Sequence, residues 1–279
     1  MTIDKYLSSF HKKIKKLKRT IDIQKINEIA VKAGKKLLEF YLRADLQINY
    51  KQDDSPVSAA DYAANQIITE ELEKLNYGFP ILSEEGIEIP YESRKNWETF
   101  WSVDPLDGTK EFIKGNGNFT VNIGLIHQNY PIAGVIYLPV SEDLYFADEN
   151  GAFKINKSQE KIRLKLPQEP DYQTLSAVKS NSNKYTPSEY AVLEKLGVKE
   201  ITPIGSAIKY CLLAEGSADI YYRQSPNMEW DSASGQAILE ISGGKILGAD
   251  KKRFSYNKPS LINDEFICFG FSDTSKLDF

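Results

Sequence analysis

Histidine is almost absent from these 279 residues, with only His11 and His127 present. That scarcity argues against a zinc hydrolase, a phosphohistidine intermediate and a Ser-His-Asp triad, each of which depends on imidazole. Cysteine is equally scarce. Cys211 and Cys268 lie far apart, and neither falls in a CxxC or other metal-spaced cluster, which fits a reducing compartment. No apolar run approaches the ~20 residues that span a bilayer, and the start lacks the apolar core of a signal peptide, so a cytoplasmic protein is expected. A basic excess is missing too: the net charge of -4 speaks against a general nucleic-acid binder, while a local cluster of cations still accommodates a small anionic substrate. Whatever chemistry occurs must therefore lean on carboxylates.

The chain opens on a local exception to its acidic balance. Lys5, Lys12, Lys13, Lys15, Lys16, Lys18 and Arg19 alternate with Leu7, Phe10, Ile14, Leu17 and Ile21, the pattern of a basic amphipathic helix over residues 1–21. Such a helix packs on its own domain or on a twofold mate, or stays solvated. A peripheral contact with the inner membrane face is the second reading, and nucleic-acid binding the third.

A helical stripe continues through Ile23, Ile26, Ala30, Ala33, Leu37 and Tyr41 until Asp53-Asp54-Ser55-Pro56 breaks it. Ser58 and Asp61 form a capping-box spacing ahead of a second helix with Ile67, Ile68, Leu72 and Leu75 on its apolar face. Strands are expected at 79–82, 97–103 (ending in Asp104-Pro105), 119–126, 133–138 and 144–147, with Asn150-Gly151 as a tight hairpin turn. Helices are expected near 187–196, 206–215 and 231–240. The order implies an α/β fold of layered α+β type, with a lobe over 22–166 and a second over 167–279, divided near Pro167 and Pro170.

The chemistry concentrates in Trp101-Ser102-Val103-Asp104-Pro105-Leu106-Asp107-Gly108-Thr109, where a strand delivers two aspartates at its carboxyl end. Pro105 fixes the backbone so that Asp104, Asp107 and the Leu106 carbonyl converge, and Gly108 lets a phosphate approach closely. A short helix over 109–114 would offer free N–H groups to an anion. Two aspartates at this spacing are also ordinary loop residues or helix caps. Other acids at similar junctions change the balance: Ser83-Glu84-Glu85-Gly86 after a strand, and Trp230-Asp231 before a helix. Taken singly, Glu84 reads as a solvated turn and Asp231 as an N-cap. Together they repel unless a cation compensates, and oxygen-only ligands suit Mg²⁺, with Mn²⁺ as a substitute.

These strings resemble the inositol monophosphatase superfamily. Its signature Asp-Pro-(Ile/Leu)-Asp-Gly-(Thr/Ser) matches Asp104 to Thr109, and its second, Trp-Asp-x-Ala-(Ala/Ser)-Gly, is similar to Trp230 to Gly235, with Ser234 where alanine is frequent. Asp-Ser-Pro-Val-Ser-Ala-Ala-Asp at 54–61 and the run through Lys110-Glu111-Phe112 look most like the CysQ-type 3'(2'),5'-bisphosphate nucleotidases, from about residue 22 to the C-terminus. Gly205 to Tyr210 and Tyr221-Tyr222-Arg223 resemble that group's nucleotide-contacting segments. Ser180-Asn181-Ser182-Asn183 departs from the Ser-Arg-Ser-His of bacterial members, which bears on nucleotide affinity or base preference.

The resemblance implies a two-lobe sandwich and a magnesium-dependent phosphatase. Glu84, Asp104 and the Leu106 carbonyl would hold one ion, and Asp104, Asp107 and Asp231 a second, with Thr109 and Asp61 orienting and deprotonating the water. Glu84, Asp107, Gly108, Thr109, Lys110, Ser206, Lys209, Arg223 and Asp231 would contact substrate. Independently, Ser206 and Lys209 stand three apart on an expected helix and face one anion, with Arg223 as a second cation. Adenosine 3',5'-bisphosphate, or its sulfated relative, is the expected substrate of a monomer or homodimer. An inositol or sugar monophosphate is the alternative, and a non-catalytic phosphate-metabolite sensor is the alternative of another class.

Overall fold

The computed structural model describes residues 21–41, 48–50, 56–181 and 186–277, with only the backbone of 48–50 and 56–58. The basic helix expected over 1–21 lies outside them apart from Ile21. So do Asp53, Asp54, Ser55, Ser182, Asn183 and the Ser58 side chain.

Helix α1 (Ile23–Tyr41) buries the apolar stripe expected of it, with Ile26, Ala30, Ala33 and Leu37 turned inward. Gly34 is the point of closest approach: a Cβ there would stand 2.5 Å from the Tyr137 ring. A short antiparallel pair, β1 (Ile48–Tyr50) and β2 (Pro56–Ser58), leads into α2 (Ala59–Lys74), which buries Ala60, Ala64, Ile68 and Leu72.

These two helices cover one face of a seven-stranded sheet ordered as in sequence: β3 (Ile81–Ser83), β4 (Thr99–Asp107), β5 (Thr120–His127), β6 (Tyr130–Leu138), β7 (Asp143–Asp148), β8 (Gly151–Ile155) and β9 (Lys161–Leu164). Only β3 and β4 run parallel, with the one-turn helix α3 (Tyr91–Arg94) in their crossover. Successive side chains alternate between faces. Trp101, Val103, Val121, Ile123, Leu125, Val135 and Tyr137 join the cluster under α1 and α2, whereas Phe100, Ile126, Ile136 and Tyr145 point the other way. The β7–β8 turn is closed by the Asp148 and Gly151 pair, which makes Glu149 and Asn150 its loop residues rather than Asn150 and Gly151.

Strand β4 runs further than expected. Asp104 pairs with Asn122 and Asp107 with Thr120, so three steps along β4 match two along β5. Proline is tolerated because it sits in this bulge, where the ladder requires no N–H. Helix α4 (Thr109–Lys114) follows at once, and the Phe112 ring packs on Phe119 (4.8 Å) and Tyr41 (5.3 Å), tying the loop to the core.

Of the remaining strands, five form a sheet ordered β11 (Glu200–Ile204), β10 (Ser176–Ser180), β12 (Ile220–Arg223), β16 (Phe266–Phe269), β14 (Lys245–Gly248), and β13 (Asn227–Met228) pairs antiparallel with β15 (Ile262–Asn263). Helix α5 (Pro187–Lys195), started by a Thr186–Glu189 capping box, covers its outer face through Leu193. Helices α6 (Ile208–Ala214) and α7 (Ala233–Ser242) lie between the two sheets in one shared core. The layers are thus α1/α2, sheet, α6/α7, sheet, α5. Gly124 and Gly134 let α7 lie directly on the first sheet: a Cβ on Gly134 would stand 2.6 Å from the Ser234 carbonyl oxygen. Among the described residues no helix is long and apolar enough to cross a membrane. Cys211 and Cys268 are both free and buried.

Candidate active site

The bulge in β4 decides where the first acids point. Residues three apart in a regular strand face opposite sides, and one extra residue restores the same side. Asp104 and Asp107 consequently line one cavity of about 420 Å³, together with the Leu106 backbone. Glu84 reaches it from the turn after β3, where its N–H donates to the Val103 carbonyl (3.1 Å) and continues the parallel pairing.

Asp231 arrives from the far side. It ends a 3-10 turn (Glu229–Asp231) ahead of α7, and its Oδ2 accepts the Met228 N–H at 3.0 Å. The alternative reading of Asp231 as an N-cap does not hold: α7 begins at Ala233, with Ser232 before it. Because α7 lies so close on β5 and β6, this turn is delivered to the end of β4. Carboxylate oxygens of Glu84, Asp104 and Asp231 lie within 4.8 Å of one another.

Such crowding is unfavourable without a cation. Burial pushes the Asp104 carboxyl well above the ordinary range, and Glu84, Asp107, Asp231 and Asp61 add to the shift. Asp231 is raised as well, by burial first and then by Asp107 and Glu84. Asp104 Oδ1 accepts the Leu106 N–H at 3.1 Å, whereas Oδ2 is buried and accepts no hydrogen bond among the described residues. A buried carboxylate oxygen with no donor, among like charges and all-oxygen ligands, fits a hard divalent cation.

Asp107 stands beside this trio. Its Oδ2 accepts from Ser206 Oγ at 2.7 Å and from Asn122 Nδ2 at 3.4 Å. Ser206 does not lie on the helix as expected but two residues before α6, in left-handed backbone (φ 58°), with Thr120 Oγ1 2.6 Å from its hydroxyl. Gly205 is required beside it, since a Cβ would meet Glu111 Cγ at 2.9 Å. Thr109 Oγ1 donates to the Leu106 carbonyl at 3.2 Å. Gly108 (φ 93°) starts α4, and a Cβ there would meet the Asn118 carbonyl at 2.9 Å.

The opposite wall is cationic. Lys209 is only 4 % exposed, and its ammonium donates to the Ser206 and Ile204 carbonyls. Burial lowers it to about 8, an effect that Arg223 reinforces and Asp107 and Asp231 oppose. Arg223 donates to the Ser225 and Pro226 carbonyls and to Tyr221 Oη, which fixes its guanidinium at the rim. It is raised above its usual value because Tyr221 and Asp231 outweigh the opposing effect of burial.

Every residue expected at the site lines this one cavity except Asp61, with Lys110 at its exposed edge. Asp61 is buried in the first turn of α2, near enough for its charge to raise Asp104. Glu111, Ser180, Gly205, Tyr210, Tyr221, Pro226 and Asn227 line the cavity as well, beyond the expected site residues. Tyr210 and Tyr221 lie in strings already recognised, but no spacing marked Pro226 and Asn227, which the turn before Asp231 carries in.

Residues 20–267 match the sequence model of the inositol monophosphatase family. Over 247 residues the chain is 40 % identical to the 3'(2'),5'-bisphosphate nucleotidase CysQ of Salmonella typhimurium, covering 88 % of this chain and 98 % of that protein. The protein of the same name from Haemophilus influenzae is 35 % identical over 245 residues, covering 87 % and 90 %. Among solved structures, CysQ from Bacteroides thetaiotaomicron, described as a bacterial member of the inositol monophosphatase family, superposes with a TM-score of 0.75 at 40 % identity, covering 86 % and 94 %. Fold, acidic cluster and sequence agree, and the chain belongs to the inositol monophosphatase family.

Proposed function

We propose that this chain is a magnesium-dependent phosphatase that hydrolyses the 3'-phosphate of adenosine 3',5'-bisphosphate to adenosine 5'-phosphate and inorganic phosphate, and also accepts the sulfated 3'-phosphoadenosine nucleotide. One observation carries the reading: a single cavity sets the Glu84, Asp104 and Asp231 carboxylates against the buried ammonium of Lys209. A substrate with two phosphates needs both ends, one for hydrolysis and one for anchoring. The names of the relatives support the same substrate class.

Glu84, Asp104, Asp107, Asp231 and the Leu106 carbonyl would hold the metal. When bound, Mg²⁺ supplies a Lewis acid for the phosphoryl oxygens and for the leaving alkoxide. Thr109 Oγ donates to the Leu106 carbonyl and keeps its lone pairs free to accept a water O–H, orienting that water toward phosphorus. Asp61 takes the water proton. Water oxygen bonds to phosphorus as the P–O bond to the ribose breaks, and the departing oxygen takes a proton from solvent water to become the 3'-hydroxyl. Lys209, with Arg223 beside it, holds the remaining phosphate and keeps the nucleotide in line.

Phosphate release by purified protein with and without Mg²⁺ tests this, using adenosine 3',5'-bisphosphate, inositol 1-phosphate and fructose 1,6-bisphosphate. The bisphosphate nucleotide is expected to give the highest kcat/KM. A preference for inositol 1-phosphate would move the assignment within the family. No turnover on any substrate would make the chain a sensor.

A further inference from the structure

Two residues before Asp231, Glu229 is completely buried yet carries a carboxylate. It is fully satisfied. Its oxygens accept the Asn257 N–H (2.8 Å), the Lys258 N–H (3.0 Å) and the Lys258 ammonium (2.7 Å). Its own N–H donates to the Leu261 carbonyl at 2.9 Å. The Lys258 side chain is only partly buried, but losing it would leave the buried Glu229 charge uncompensated, which is strongly destabilising, and an apolar pair of like volume is often just as stable, so stability alone does not explain the pair.

The surroundings point to placement. Glu229 and Asp231 share one 3-10 turn, and the Asp231 carboxylate closes that turn on the Met228 N–H. Asn263 Nδ2 donates to the Met228 carbonyl at 2.8 Å, so the 257–263 segment grips the turn at both ends. That segment is itself anchored. Arg94, in α3, donates to Asn257 Oδ1 (2.8 Å) and the Pro259 carbonyl (3.1 Å), and its carbonyl accepts from Asn257 Nδ2 (2.8 Å). Helix α3 lies in the crossover between β3, which Glu84 follows, and β4, which carries Asp104. The chain of contacts from Arg94 through Asn257 and Lys258 to Glu229 thus connects the element bearing Asp231 to the elements bearing the other two acids.

We propose that the Glu229–Lys258 ion pair is a positioning device that sets the place of Asp231 against Glu84 and Asp104, and thereby the affinity of the site for its metal. Glu229 lies outside the cavity lining and outside the acidic trio. Partners behind metal ligands contribute roughly 10–100-fold to affinity when lost, and an effect of that order is expected here. The inference rests on the reading of Asp231 as a metal ligand.

Calorimetric titration of the metal-free protein with Mg²⁺ tests it, alongside thermal melting, for the parent and for Glu229→Gln, Lys258→Met, Lys258→Arg and Asp231→Asn. Glu229→Gln and Lys258→Met are expected to weaken Mg²⁺ binding about tenfold or more while still melting cooperatively. Lys258→Arg, which keeps the cation, is expected to bind within about twofold of the parent. A purely structural pair would lower the melting temperature and leave the affinity of the folded protein unchanged, and that result in Lys258→Met overturns the proposal. If Asp231→Asn also binds Mg²⁺ like the parent, it is the underlying metal-site reading that fails instead.

Discussion

Ser206 Oγ donates to Asp107 Oδ2 at 2.7 Å across 99 residues of sequence, joining the loop before α6 to the end of β4. Ser206 holds left-handed backbone to do so, a conformation that serine rarely adopts. The strain and the bond together fix which oxygen of Asp107 remains turned to the cavity. Ser206→Ala keeps the backbone and removes the donor. A hydrogen bond to a charged group contributes about 1.5–3 kcal/mol, so kcat/KM is expected to fall roughly 10–100-fold. The fall should be alike for adenosine 3',5'-bisphosphate and inositol 1-phosphate, because Asp107 serves both. A loss confined to the nucleotide would instead make Ser206 a direct substrate contact.

Asp104 is the acid on which the crowding converges, and its substitution should separate function from stability. Asp104→Asn is expected to abolish Mg²⁺-dependent turnover and leave the fold intact. It also removes a buried acid whose ionisation is opposed by burial first and then by Glu84, Asp107 and Asp231. The metal-free variant should therefore melt above the metal-free parent, by roughly 2–4 °C for each kcal/mol relieved in a chain of this size. Adding Mg²⁺ should raise the melting temperature of the parent far more than that of the variant. Parent-like activity in Asp104→Asn would remove the central ligand from the scheme.

The same crowding predicts how the metal-free protein responds to pH. Asp104 and Asp231 are both raised, chiefly by burial. Folded protein therefore keeps protons that the unfolded chain releases near the ordinary aspartate value of about 4, and stability must decline as pH rises above it. In chelator, melting temperature is expected to fall as pH rises from the ordinary aspartate value of about 4 towards about 8, the value to which Asp231 is raised. Excess Mg²⁺ should flatten the curve, since a bound cation removes the reason to stay protonated. A profile equally flat with and without chelator would show that these carboxylates do not repel as the geometry demands.

The acids themselves were legible in the sequence because each sits at a strand or turn junction in a contiguous string: Glu84, Asp104, Asp107 and Asp231 needed only the pattern. What joins them was not. A strand reading stops at Pro105, since proline donates nothing to a ladder, and no periodicity announces that one extra residue in β4 rescues the pairing and turns Asp107 to the side of Asp104. Ser206 looked like a helix residue aimed at an anion, because the start of α6 depends on how Gly205 packs against Glu111. The Glu229–Lys258 pair spans 29 residues with no motif between them, and only the tertiary fold brings it together. Layering followed from the order of elements, whereas the strand order of the second sheet depends on long-range pairing that local pattern does not encode.

Lys209 gives the most selective test of the substrate, because its charge changes well below the ordinary lysine range. Burial lowers it to about 8, so in the free enzyme the ammonium is lost as pH rises through that value. A phosphate remote from the scissile bond then loses its anchor, while a simple monophosphate loses little. Metal-site ionisations act on both substrates and cancel in a ratio. The kcat/KM of adenosine 3',5'-bisphosphate relative to inositol 1-phosphate is expected to fall as pH passes about 8, since kcat/KM reports groups of the free enzyme. Stability should move the other way: the unfolded lysine holds its proton to about 10.4, so the folded state gains as pH climbs from the lower value towards that one. Lys209→Met should raise KM for the bisphosphate roughly 10–100-fold, by the loss of a charged hydrogen bond, and make the ratio independent of pH. A ratio in the parent that stays level across this range would place the second phosphate somewhere other than Lys209.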